Sequence, residues 1–156
     1  MLRKITIILL VCLLSNTCDA WSLWGTTPPN VVYLGMWTYH FQAKSRKSDN
    51  YTNNLLAFGY HSMFVGTFTN SYGVQSFALG FQRYLYSHAF DQGKVDYDFG
   101  YRIGAMTGYD SRLMHLAGQT PVLPFGQLIS DLSYKRVGWE VTYTGILVST
   151  SFFIKI

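Results

Sequence analysis

Cysteine is almost missing from this chain. There are two, Cys12 and Cys18, and both precede Ala20. The sequence after Ala20 has none, which excludes a disulfide framework and thiol catalysis there. Charge is also scarce. Only 13% of residues are Asp, Glu, Lys or Arg, and the net charge of +4 has no block that would mark a nucleic-acid surface. No stretch offers the roughly 20 consecutive apolar residues that a membrane-spanning helix needs, and no window after Ala20 holds the helical period of about 3.6. Aromatics and glycine are abundant instead, with 12 Tyr, 11 Phe and 14 Gly.

The N-terminus has three zones: Arg3 and Lys4, the apolar run from Ile5 to Leu14, and a polar stretch ending in Cys18-Asp19-Ala20. This layout predicts a cleavable signal peptide over 1–20. Neither cysteine follows the box that a lipoprotein requires. The remaining 21–156 make one domain, without linker or repeat. The longest basic run, Lys44-Ser45-Arg46-Lys47, reads either as a solvated loop or as a contact for anionic lipid headgroups.

Period-two alternation recurs throughout. From 95 to 110, Val95, Tyr97, Phe99, Tyr101, Ile103, Ala105 and Tyr109 share one face, while Asp96, Asp98, Gly100, Arg102, Gly104 and Asp110 share the other. Successive strand side chains point to opposite faces, so one face is apolar and the other charged or small. A membrane barrel turns the first to lipid and the second inward, where Arg102 would pair with Asp98 and Asp96. Further strands are expected over 31–43, 54–61, 63–69, 75–86, 121–133, 137–144 and 146–156. In the first of these Tyr33, Trp37, Tyr39 and Phe41 face outward, and Leu34, Met36, Thr38, His40 and Gln42 inward. The C-terminal alternation of Val148, Thr150, Phe152, Ile154 and Ile156 resembles the signal read by the barrel-assembly machinery. The expected fold is therefore all-β: an eight-stranded antiparallel transmembrane β-barrel in the bacterial outer membrane, monomeric.

An even number of strands puts both termini in the periplasm. The connections 44–52, 70–74 and 110–119 and Gly145 then lie on the outer rim. His40 sits just below that rim and Ser71 at it, both pointing inward, so a serine and a histidine converge at the barrel mouth. A histidine is the usual base that turns a serine into a nucleophile. Asn70 would orient the histidine or donate to an oxyanion. Alternatively, His40 reads as an ordinary lumen polar group, and Asn70-Ser71-Tyr72-Gly73 as a tight turn. His61 and His88 fall in periplasmic turns and His115 in the third outer loop. No two histidines share a metal-ligand spacing, and neither a metal nor a cofactor is expected.

Three segments carry a family resemblance. Phe68-Thr69-Asn70-Ser71-Tyr72 precedes Ala78-Leu79-Gly80-Phe81. Trp37-Thr38-Tyr39-His40-Phe41 leads to Tyr51-Thr52-Asn53. Pro121-Val122-Leu123-Pro124 is followed by Leu132-Ser133-Tyr134 and by Glu140-Val141-Thr142-Tyr143. Together they resemble the lipid A palmitoyltransferases, PagP-like eight-stranded outer-membrane barrels. The resemblance implies acyl transfer from an outer-leaflet phospholipid to lipid A, carried by a serine (Ser71), a histidine (His40) and, at the family's aspartate position, Asn70. It implies sideways lipid entry at strand gaps marked by Pro121 and Pro124. It also places Gln82 near the glycine that floors the family's acyl pocket, which would shorten or fill the cavity. His40 follows Trp37 by three residues, whereas the family's histidine follows its tryptophan directly.

Two readings stay open. In the first the protein is a surface-lipid acyltransferase whose pocket is lined by inward Leu34, Met36, Ala57, Gly59, Ala78, Gly80, Gln82 and Met106. In the second it is a non-enzymatic barrel serving surface masking, adhesion or phage-receptor blocking. An enzyme needs an apolar channel below the rim with His40 and Ser71 at its mouth. A structural barrel would have its lumen filled by Arg102, Asp98, Glu140 and their partners. Lipids and the assembly machinery are the expected partners, and nucleic acid is not.

Overall fold

A computed structural model describes residues 25–41, 50–109 and 120–156. The expected signal peptide at 1–20, the basic run at 44–47, Gln42, Asp110 and His115 lie outside the described residues. Eight antiparallel strands form a closed barrel in sequence order: β1 (Val31–His40), β2 (Leu56–Tyr60), β3 (Met63–Thr69), β4 (Gln75–Phe90), β5 (Val95–Thr107), β6 (Val122–Tyr134), β7 (Val137–Tyr143) and β8 (Leu147–Lys155). The β1–β8 ladder, from Val31 opposite Lys155 to His40 opposite Leu147, closes the ring. Closure leaves neither lateral edge of the sheet unpaired.

The alternation sets which side chains enter the lumen. On β7, Val137, Trp139, Val141 and Tyr143 are exposed while Gly138, Glu140 and Thr142 are buried. Outward positions on the other strands are mostly apolar or aromatic in the same way: Leu56, Phe58, Val65, Phe77, Leu79, Leu128, Leu132, Phe152 and Ile154 are all exposed. Arg102, Glu140, Asp131, Gln82, Ser76, Ser149 and Ser151 are instead buried inside. These polar and charged side chains share the interior with a buried hydrophobic cluster around Tyr33, Phe64 and Phe153.

Interruptions on β1 and at the end of β5 shift the expected phase, and the β4–β5 register also shifts between Tyr84 and Tyr86. Gly35 takes φ +66° and breaks the β1–β8 register between Leu34 and Trp37. A bulge adds one residue to one strand of a pair, so the alternation reverses below it. Tyr33 is therefore fully buried in the lumen, and Leu34, expected to line the interior, is exposed outside. At the end of β5, Gly108 adopts φ +87°, and Tyr109, expected outside, turns inward onto the core cluster. Strand lengths differ as well. β2 is only five residues, and β4 continues to Phe90, which puts His88 within a strand and not in a turn.

Toward the strand ends Val31 and Lys155 the middle of the lumen is filled by aromatic and charged side chains, and beyond them a second cavity opens among Thr26, Tyr84, Asp98 and Lys155. Tyr33 meets Phe64 and Phe153 edge-on at 5.7 and 5.9 Å, and Gly138 has no Cβ because the Phe153 ring occupies that space. Arg102 lies over Phe64, with its guanidinium carbon 4.0 Å from the ring centroid. It binds Glu140 through two nitrogens at 2.6 and 3.1 Å, and its Nε donates to Gln82 at 2.9 Å. The expected partners Asp98 and Asp96 do not fill that role. Asp96 accepts from Lys155 at 2.6 Å, and Asp98 faces Ser87. Glu140 comes to Arg102 because β7 reaches the same level across the ring, a closeness that spacing along the chain does not reveal.

Candidate active site at the mouth of the barrel

On the His40 side of the Arg102–Glu140 pair the lumen is a cavity of about 440 Å³. Its floor is the Arg102–Glu140 pair with Gln127. Met36, Leu55, Phe64, Phe68, Ala78, Met106, Tyr109, Leu123 and Phe125 line one side of it.

His40 and Ser71 stand at its mouth. His40 is the last residue of β1 and Ser71 lies in the turn after β3, 31 positions away, yet Ser71 Oγ is 2.9 Å from His40 Nε2. Both are buried at 7% exposure, so the pair is shielded from bulk water. The strand bearing His40 and the turn bearing Ser71 are tied by backbone bonds through the segment between them: the Thr38 N–H donates to Tyr51 O at 3.0 Å, and the Asn50 N–H to Ser71 O at 2.8 Å. A hydroxyl in hydrogen-bond contact with an imidazole has the geometry of a nucleophile and its general base.

Asn70 is fully buried, and its amide is engaged by backbone. Its Oδ1 accepts from the Tyr72 and Val74 N–H groups at 2.9 and 3.0 Å, and its Nδ2 donates to Gly108 O at 2.6 Å. It thus clamps the turn that carries Ser71 and pins that turn to the end of β5, instead of directing its amide at the histidine. An aspartate there would present two acceptors to Gly108 O, where a donor is required. Tyr109, held in place by the same junction, meets the Tyr72 ring edge-on at 6.2 Å. Burial, and secondarily Tyr72, push its phenol up to about 12, so it stays protonated beside the mouth.

Of the residues expected to line a pocket, Met36, Ala78, Met106 and Pro124 border the cavity. Leu34 is outside the barrel, and Pro121 is exposed just ahead of β6. Ala57 belongs to the packed core. Gly59 and Gln82 lie against each other: a Cβ on Gly59 would sit 3.2 Å from Gln82 Nε2. The room at Gly80 is taken by the Phe125 ring, which a Cβ there would meet at 3.3 Å. Sequence reading missed Phe125, Leu123 and Tyr109. The inward phase of β6 (Leu123, Phe125, Ile129, Asp131) was available in the alternation, but Tyr109 was hidden by the turn of phase at Gly108.

Among the described residues, one stretch of the wall lacks a strand partner on one side. β6 pairs with β7 only from Leu128 opposite Tyr143 downward, so Val122 to Gln127 have no β7 partner. Pro124 has no N–H to offer a neighbour, and a Cβ placed on Gly126 would meet nothing within 4 Å. The corresponding upper stretch of β1 is not open. Gly35 and Thr38 donate to Leu55 O and Tyr51 O, and Met36 O accepts from Asn53.

No family model matches this chain, and no curated protein does.

Proposed function

We propose that this protein is an outer-membrane acyltransferase that moves a fatty acyl chain from a phospholipid to lipid A or a related surface lipid. The observation that carries the reading is the Ser71 Oγ–His40 Nε2 contact of 2.9 Å at the mouth of a largely apolar cavity of about 440 Å³. That volume is within the range of small-molecule sites. The apolar exterior supports a barrel immersed in lipid, and the stretch of β6 that pairs with β5 but has no β7 partner among the described residues is the sideways route for a chain.

In this reading His40 Nε2 takes the Ser71 hydroxyl proton as Oγ attacks the donor's ester carbonyl. The acyl C–O bond breaks, and the proton passes from the imidazolium to the departing lysolipid oxygen. A hydroxyl of the acceptor lipid then gives its proton to Nε2 and attacks the Ser71 ester. The chain moves to the acceptor, and Ser71 Oγ recovers the proton. Asn70 acts by holding the turn, and the Arg102–Glu140 floor limits how deep the chain reaches.

The test is mass spectrometry of lipid A and phospholipids from cells expressing the protein, beside Ser71→Ala and His40→Ala. The expected outcome is a new acylated lipid species that disappears in both variants. Unchanged lipids, with the barrel folded in the outer membrane, would sink the reading. A second reading, a non-enzymatic barrel serving surface masking, adhesion or phage-receptor blocking, is favoured by the filled middle of the lumen with its satisfied Arg102. That negative outcome would leave it standing.

A further inference from the structure

The wall of the cavity formed by β1, β8 and β7 carries hydroxyls beside its apolar Met36 and Leu147. Thr38 stands opposite Ser149, and Ser149 opposite Thr142, so three hydroxyls form a row across three strands. Thr38 Oγ1 and Ser149 Oγ are 3.1 Å apart and share one proton. Thr142 is 4% exposed, borders the cavity, and its Oγ1 has no hydrogen-bond partner among the described residues; the Oγ1 of Thr144, just above it, is also buried and without one among them.

A buried hydroxyl without a partner is destabilising, and a purely aliphatic chain in the cavity would leave Thr142 in that state. On β1 the row lies two residues below His40, about 7 Å along the strand. It therefore faces the part of a bound chain nearest the reacting carbonyl.

We infer that the cavity selects an acyl chain bearing a hydroxyl a few carbons from its carbonyl, with Thr142 as the residue that recognises it. This rests on the cavity being an acyl site, as proposed above. The chain's methylenes lie against Phe68, Met106 and Phe125, while its hydroxyl takes the Thr142 bond and joins the Thr38–Ser149 row. Thr144 receives the carbonyl end.

The experiment is equilibrium binding of 3-hydroxymyristic acid and of myristic acid to the full barrel in phospholipid nanodiscs, for the unaltered protein and Thr142→Val. Valine keeps the threonine shape and removes the oxygen. The hydroxy acid should bind about three- to tenfold more tightly, as one net hydrogen bond allows, with the preference lost in Thr142→Val. Equal binding of the two acids to the unaltered protein overturns the inference, as does a preference that survives Thr142→Val. Binding of neither acid overturns the acyl-site premise itself. Because the readout is binding, a failure of turnover in the lipid assay is seen separately.

Discussion

At the scale of single residues, the site depends on Asn70 as much as on the pair it supports. Its amide donates to one carbonyl and accepts from two N–H groups in a fully buried position. Asn70→Asp changes the donor facing Gly108 O into an acceptor, and we expect it to lower stability by about 1–3 kcal/mol, read as a shift in the urea midpoint of the refolded barrel. A member of a catalytic triad would instead gain from the restored charge, so a rise in activity without loss of stability would contradict the clamp. The sequence marked Asn70, Ser71 and His40 as residues of interest by the side of the barrel they reach. It left the turn and the active site both open, because donor and acceptor assignments depend on Gly108, which is 38 positions away.

At the scale of elements, the first strand shows how alternation is read and where it fails. Its upper half follows the expected phase: Thr38 and His40 point in, and Trp37 and Tyr39 point out. Below Gly35 the phase is reversed. A non-glycine residue at φ +66° costs about 1–3 kcal/mol. Gly35→Ala should destabilise the barrel by that amount and weaken placement of Tyr33 against Phe64 and Phe153, measured by thermal unfolding and near-ultraviolet circular dichroism. A neutral result would mean that the bulge is not needed to seat Tyr33. Nothing in the residues around Gly35 distinguishes a bulged strand from a regular one. The neighbouring β8 ladder decides it, since Leu34 and Trp37 must both pair across the same strand. β7 and β8, which have no such break, were legible at nearly every position.

At the scale of the whole molecule, a mostly apolar exterior encloses buried charge, and two predictions follow from that. Val65 sits in the middle of the ladder from Phe58 to Leu79 and is 52% exposed. If the surface meets lipid, Val65→Arg should cost about 2–4 kcal/mol in bilayers, measured as the change in folding free energy in vesicles. A cost near zero would argue against lipid at that face. Inside, the side chains of Arg102 and Glu140 are 3% and 1% exposed. Removing one partner of a buried pair costs about 3–5 kcal/mol, whereas a well-packed apolar replacement of both is often neutral. Glu140→Ala should therefore be much more damaging than the double change Arg102→Met with Glu140→Leu, by chemical unfolding. Equal losses would show that the floor is held by its aromatic packing alone.

The sequence by itself determined the architecture: eight strands, their order, a mostly apolar exterior and polar groups inside. Each of these follows from local alternation and turn chemistry, which any short window carries. It also placed His40 and Ser71 at one end of the barrel, because strand parity decides which end a turn occupies. Only the closed tertiary structure decided the rest. It set Arg102 against Glu140 rather than Asp98, turned Leu34 out and Tyr33 in, and gave the amide of Asn70 to the backbone. It also left a cavity between the Arg102–Glu140 floor and the mouth of the barrel. Those outcomes depend on which strand ends up across the ring and at what height, and ring closure fixes that height through register shifts at single residues that local pattern does not encode.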